Sequence, residues 1–334
     1  MMKLFKKVLV VAFVVSLAVS IFSPVLACVD SAPRKIPPIV STDWLQLNLC
    51  RKDLVILDIR NPDAYGDGHI PGAINVPAWG VPDSEWFIND PFTVPPNVPW
   101  MEMPPVNDLF ALIGGAGITK DSCVVVVGST SGLLLPEAPL ALYATATITR
   151  VAITLLYAGV RNVAILDGGF DKWVYEGKPV STEPVIPTPV TYDGKVNEEM
   201  LVSMDYVASK IGKSVIIDCR DEGVYKCIGL EPWCAYVGHI PTARNLPTPS
   251  LWDIKTDESG NAVYITYKSW LTLFIMTLKV IKWEWYKEII VYCGVGGYAS
   301  TMYFILKEVL RYPNVKFYDG SAQEWTHADM PVEC

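Results

Sequence analysis

Short aliphatic runs bounded by polar or glycine-rich turns recur along the chain, at residues 54–57, 124–127, 163–166, 215–217 and 289–292. Uninterrupted apolar stretches of this length mark strands covered on both faces, and the runs at 124–127 and 289–292 are each followed by helical patterning. Strands alternating with helices predict an α/β fold built on mostly parallel sheets. The order of motifs also occurs twice. Leu54-Val55-Ile56-Leu57-Asp58-Ile59-Arg60, Tyr65 and Gly68-His69-Ile70-Pro71 return as Val215-Ile216-Ile217-Asp218-Cys219-Arg220, Tyr225 and Gly238-His239-Ile240-Pro241. Asp167-Gly168-Gly169-Phe170 with Trp173 returns as Asp319-Gly320-Ser321 with Trp325. An internal repeat of this length is one fold present twice.

Pro184, Pro187 and Pro189 suit an extended, stiff connector between the copies. A first domain is therefore expected at residues 36–182, a linker at 183–194 and a second domain at 195–334. The Pro-rich stretch 82–105 contains Trp86, Phe87, Phe92 and Trp100, too aromatic for a free linker, and reads as an insertion packed on the first domain. Residues 270–281 are strongly apolar but too few to span a bilayer, which predicts a buried helix.

The chemistry concentrates near the C-terminus. Ile289-Ile290-Val291-Tyr292 runs into Cys293, then Gly294-Val295-Gly296-Gly297-Tyr298-Ala299, then a helix-like stretch at 301–311. A cysteine ending a strand and facing a helix N-terminus meets several backbone N–H groups, which favour thiolate over thiol. Glycines remove the β-carbons that keep a loop from curling around a sulfur-sized anion. The loop reads as a cradle for a thiolate or persulfide; the plainer alternative, a buried cysteine closing a core strand, leaves its glycines unexplained.

Lys3, Lys6 and Lys7 precede an apolar stretch at residues 8–22, and small-residue cleavage after Ala27 makes residues 1–27 a secretory signal. Val25-Leu26-Ala27-Cys28 is similar to a bacterial lipobox, with Leu26 where a small residue is usual. Lipidation of Cys28, hence a membrane tether, is one expectation. The chain carries a net charge of −8, and removing the signal makes it more acidic. No basic run appears, so nucleic acid is not an expected partner. Among eight cysteines, Cys227 and Cys234 flank a loop with Gly229 and Pro232 and form an expected local disulfide. Three scattered histidines and the lack of a Cys-x-x-Cys pair argue against a zinc site.

Together, the two Asp-x-Arg strands, the paired Gly-His-Ile-Pro motifs, the Asp-Gly turns with their tryptophans and the Cys-x-x-Gly-x-x-Ala loop resemble the tandem-domain rhodaneses, the thiosulfate and 3-mercaptopyruvate sulfurtransferases. The resemblance spans residues 36–334. It implies two domains, each a mostly parallel five-stranded sheet flanked by helices, with the catalytic cysteine in the second. Gly128 stands where a cysteine is expected in the first copy. It further implies that Cys293 takes sulfur from thiosulfate, or 3-mercaptopyruvate as second choice, and hands it to a thiophilic acceptor, with no metal or organic cofactor. Arg220 either binds the donor anion or fixes Asp218; Val224 occupies the place where relatives put a second arginine. His69 either assists proton transfer or defines the fold, Asp218 holds backbone or assists catalysis, and Arg150 makes an interdomain salt bridge or touches substrate. The tyrosine at 298 either donates its hydroxyl to an anion or closes the pocket. Ala299 replaces the arginine of Cys-x5-Arg phosphatases, which removes that activity. The rival reading is a sulfur carrier or non-catalytic scaffold attached to a membrane or respiratory complex, favoured by the lack of basic residues in the loop.

Overall fold

The two motif series build two parallel sheets. The computed structural model describes residues 33–78, 86, 102–130 and 140–334. The first sheet contains β1 (Ile39–Val40), β2 (Leu54–Asp58), β3 (Ile74–Asn75), β4 (Cys123–Val127) and β5 (Asn162–Leu166), in the order β1-β5-β4-β2-β3 and parallel throughout. The second contains β6 (Val215–Asp218), β7 (Arg244–Asn245), β10 (Ile289–Tyr292) and β11 (Val315–Phe317), in the order β11-β10-β6-β7, again parallel. The fifth position of the second sheet is a single bridge between Leu201 and Phe317. Central strands β4, β5, β6 and β10 are buried along their whole length, as continuous Val/Ile runs require when helices cover both faces.

Helices α1 (Thr42–Asn48), α2 (Pro62–Asp67), α3 (Val106–Gly115), α4 (Leu140–Tyr157) and α5 (Gly169–Tyr175) belong to the first half. The second half has α6 (Met204–Lys210), α7 (Glu222–Tyr225), α8 (Trp270–Ile281), α9 (Gly297–Phe304) and α10 (Ser321–His327). Among these described helices none is long and apolar enough to cross a membrane. Ser41 and Ser203 cap α1 and α6 by accepting backbone N–H groups of Trp44 and Tyr206.

The repeated motifs do the same work in both halves. Arg60 donates Nη2 to Asp58 at 2.6 Å and to the Gly68 carbonyl at 2.7 Å; Arg220 donates Nη2 to Asp218 at 2.7 Å and to the Gly238 carbonyl at 2.8 Å. His69 stacks on Tyr65 and His239 on Tyr225, each with Nδ1 2.9 Å from that tyrosine's carbonyl. Trp173 and Trp325 each donate their indole N–H to a carbonyl six residues on. These buried polar groups are paired locally, which is why the motif residues must recur together.

Residues 36–334 pack as one unit. α4 lies against α9, with Thr149 Oγ1 2.6 Å from Thr301 Oγ1, so small hydroxyl residues let two helices from different halves approach closely. An antiparallel hairpin, β8 (Trp252–Thr256) and β9 (Ala262–Tyr267), reaches from the second half to the first, where Tyr267 N–H donates to Asp167 at 2.9 Å and Ile265 N–H to Thr130 Oγ1 at 3.1 Å. Trp252-Asp253-Ile254-Lys255 alternates apolar and polar residues, the signal of a half-buried strand that the sequence reading did not use.

Two expectations are corrected. The disulfide joins Cys227 to Cys334, and Cys234 is a free, buried thiol. Cys234 turns inward beneath Glu231, while the chain end passes Cys227 because Glu333 pairs with His239 across the Gly-His turn. Helix α8 buries only one face, through Leu273, Thr277 and Ile281, and exposes Trp270, Leu271 and Ile275. Residues 1–27, Cys28 and most of 82–105 lie outside the described residues; Trp86 of that insertion is buried against the Val76 carbonyl.

The disulfide closes a separation of 107 residues. Cys334→Ser should lower unfolding free energy by about 2–5 kcal/mol, read in urea melts, and non-reducing peptide maps should lose the 227–334 link. A Cys227–Cys234 link in the wild-type map contradicts the fold.

Candidate active site

Cys293 leaves β10 and enters a loop that turns at Gly296, whose φ of +86° suits glycine. The backbone N–H groups of Ala299, Val295 and Gly296 favour negative charge on its sulfur. The loop is held from behind. Ala322 N–H, in the first turn of α10, donates to the Cys293 carbonyl at 2.9 Å, and Gln323 N–H to the Gly294 carbonyl at 3.0 Å. Ser321 Oγ accepts the Cys293 N–H at 3.2 Å. Loop residues 294–299 and the start of α9 thus surround the cysteine, with their amides set against the effect of burial.

Access differs from the expectation. Cys293 is only 1% exposed, and burial, outweighing the three amides, pushes its thiol up to about 11, with the Glu231 charge adding to the rise. At that value about one chain in ten thousand carries the thiolate at pH 7. The cover comes from two directions. Tyr143 of α4 stacks on Tyr298 with ring centroids 4.6 Å apart, and Trp233 meets Tyr143 edge-on at 5.8 Å. Trp252 packs against the other side of Tyr298 at 6.0 Å. Tyr298 itself is buried, its ring packed against Tyr143 and Trp252.

Glu231 sits against the loop: a β-carbon on Gly294 would lie 2.6 Å from its Oε2 and would also strike the Trp233 indole nitrogen. Gly294 is required by this close approach. Burial pushes the Glu231 carboxyl up to about 7, Arg220 pulling against that rise and Asp218 adding to it. Sequence reading missed Glu231, Trp233 and Tyr143, which belong to no motif. An acid within the apolar stretch Ile228-Gly229-Leu230-Glu231-Pro232-Trp233 was the available signal.

The remaining candidates divide. Arg220 is buried against Asp218 and Gly238, with Nη1 3.7 Å from Glu231, so it reaches the site only through that carboxylate. Asp218 accepts the Tyr292 hydroxyl at 2.6 Å as well as Arg220. His69 lies among Tyr65, Ser181 and Glu183, in the first half. Arg150 of α4 is fully buried and grips Asp319 with two bonds, at 2.6 and 3.0 Å, which is the interdomain salt bridge. That pair stands directly behind the cradle, where a β-carbon on Gly296 would be 2.9 Å from Asp319 Oδ1 and 3.3 Å from Arg150 Nη1. In the first half, Gly128 occupies the position of Cys293, and Ile148 of α4 fills the space a side chain would need, 2.7 Å from its missing β-carbon.

A model of the rhodanese-like domain matches residues 41–176 and 203–328. The chain is 30% identical over 326 residues to a Synechococcus elongatus protein named putative thiosulfate sulfurtransferase, covering 96% of this chain and 93% of that one. It is 28% identical over 302 residues to the sulfur carrier protein TtuD of Thermus thermophilus, covering 86% and 93%. Among solved structures it resembles SseA from Escherichia coli, presented with the fold and mechanism of 3-mercaptopyruvate sulfotransferases, with a TM-score of 0.63 at 22% identity over 86% of this chain and 99% of that one. EanB in complex with ergothioneine aligns with a TM-score of 0.68 at 22% identity, over 93% and 74%. At these identities the two structures bear on the fold alone.

Removing the guanidinium with Arg150→Met leaves Asp319 without its ion pair in a largely buried place, which should cost about 3–5 kcal/mol in a denaturant melt. A loss below about 1 kcal/mol, the range of exposed pairs, would show that the pair does not hold the halves together.

Proposed function

Since the chain belongs to the rhodanese family, with two copies of the domain in tandem, we propose that it is a sulfurtransferase carrying sulfane sulfur on Cys293, from thiosulfate or a related small anion to a thiophilic acceptor. The observation that carries this reading is the placement of Cys293 at the end of β10 and the start of a glycine loop held by α10, where the amides of Ala299, Val295 and Gly296 favour its charged form. The relatives' names support sulfur transfer in general, and the Synechococcus elongatus protein's name supports thiosulfate as donor; 3-mercaptopyruvate, the second choice, rests on the motif resemblance alone.

In the first half-reaction the Cys293 thiolate attacks the outer sulfur of thiosulfate, the donor's sulfur–sulfur bond breaks, and sulfite leaves with the electron pair. The amides of Val295, Gly296 and Ala299 then hold the persulfide's charge as oxyanion-hole donors would. In the second, an acceptor such as cyanide or a thiol attacks the outer sulfur and restores the Cys293 thiolate. The nucleophile needs a base, because the resting sulfur is protonated. Glu231, raised to about 7, packed against Gly294 and coupled by its charge to Cys293, is a group of suitable basicity. Passing the Cys293 proton to Glu231 makes the thiolate and neutralises the carboxylate, so the negative charge moves from Glu231 to the sulfur. The reactive form thus holds one proton shared between the two groups.

A carrier role is the second reading, favoured by the burial of Cys293 and by the likeness to TtuD. For location, the lysine-flanked apolar start supports export, with Cys28 as a lipid tether and the mature chain outside the cytoplasm.

Incubation with thiosulfate and cyanide should yield thiocyanate from wild type and none from Cys293→Ser, with a one-sulfur adduct on Cys293 in intact mass spectra. An adduct without turnover supports the carrier; no adduct from thiosulfate, mercaptopyruvate or polysulfide rejects both. In the wild type, kcat/KM should rise with pH through about 7, as Glu231 loses its proton and becomes able to accept that of Cys293. Glu231→Gln should remove that limb and lower kcat/KM by about a hundredfold or more; an unchanged profile assigns the base elsewhere.

A further inference from the structure

Cys219 lies between Asp218 and Arg220, whose charges are spent on each other, and its thiol has no part in the cycle above. β6 and β10 pair with Asp218 opposite Tyr292, and Cys219 N–H donates to the Tyr292 carbonyl at 2.9 Å. Past this last registered pair the two chains run directly into Cys219 and Cys293. Side chains alternate between faces along a strand. Asp218 and Tyr292 share one face, where their side chains meet at 2.6 Å. Cys219 and Cys293 share the other, in one apolar cluster with Ile217, Val291 and Tyr298.

The first half gives a measure of the spacing. Ile59 and Gly128 hold the equivalent positions there, with the equivalent bond from Ile59 N–H to the Val127 carbonyl at 2.8 Å. A β-carbon on Gly128 would stand 3.3 Å from Ile59 Cγ1, so side chains at these two positions touch. Neighbouring strands run about 4.8 Å apart, within the roughly 4.4–6.8 Å between α-carbons that a disulfide spans. Burial, and then the charge of Cys293, push the Cys219 thiol up, so it rests protonated beside its neighbour.

We infer that Cys219 is a resolving thiol for Cys293, a step that rests on the sulfurtransferase reading. With no acceptor present, the Cys219 sulfur attacks Cys293 Sγ of the persulfide, the bond from Sγ to the outer sulfur breaks, and a Cys219–Cys293 disulfide forms as hydrosulfide leaves. The persulfide anion supplies the base, since the Cys219 proton passes to the departing outer sulfur. That sulfur gains two electrons and the two cysteine sulfurs together give up two, so no outside oxidant enters. An external dithiol reductant reopens the disulfide and returns both thiols. Sulfur loaded on Cys293 therefore has two exits, transfer to an acceptor or release as sulfide.

The test loads the full chain with inorganic polysulfide under anaerobic conditions, removes the excess, and follows sulfide release and intact mass without acceptor. Wild type should release one sulfide per chain, end two hydrogens lighter than the untreated protein, and give a peptide joining Cys219 to Cys293. Cys219→Ser and, should it fold poorly, Cys219→Ala should lose sulfide release and keep the one-sulfur adduct. A wild type that holds its adduct as the variants do overturns the proposal. If Cys293 takes up no sulfur, the sulfurtransferase reading falls and this step with it. Diamide, which oxidises adjacent thiols directly, separates the two failures: a Cys219–Cys293 link formed by diamide alone faults the sulfur chemistry, and no link in either treatment faults the pairing.

Discussion

The solvation of one sulfur atom governs this protein. Three backbone amides favour the Cys293 thiolate, and burial near Tyr298, Tyr143 and Trp233 favours the thiol; burial prevails. A cradle that binds charge inside a dry pocket stays inert until the proton has somewhere to go. Glu231 answers that need because the same burial raises its carboxyl to about 7. Cradle, cover and base are thus one arrangement, each element acquiring its property from the exclusion of water.

Duplication explains how the cover is built. Both halves keep the Asp-x-Arg pair, the stacked histidine and the Trp-bearing helix, which hold strand ends and turns in place. Only the second half keeps a thiol at the strand end. The first half uses the corresponding space for Ile148 and sends α4 across to supply Tyr143 to the cover and Arg150 to the back of the cradle. A fold unit without the reactive group thus supplies part of the cover over its twin's cysteine. The β8–β9 hairpin returns the contact from the other side.

The amino-acid order made the sheets and the cradle legible because both rest on local patterns: continuous Val/Ile runs, and a cysteine followed by glycines. What it hid depends on partners far apart in sequence. Glu231 acquires its role from Gly294, some sixty residues away, and Tyr143 from Tyr298. The disulfide was misplaced for the same reason, since closeness in sequence favoured Cys234 while the pairing of Glu333 with His239 brings the chain end to Cys227. His69 and Arg220 each had a structural and a chemical alternative in the sequence, and both are engaged in the same way as their repeat partners His239 and Arg60. The burial of Cys293 could not be read locally, because its cover comes from α4 and the loop around Trp233.

The most direct measurement is the titration of Cys293 itself, followed as the pH dependence of alkylation of its own peptide by mass spectrometry, in wild type and in Glu231→Gln. A wild-type midpoint near 11 that falls when the carboxylate is removed agrees with a buried thiol held in its protonated form by burial and a neighbouring charge. A thiolate already present at neutral pH, indifferent to position 231, contradicts it.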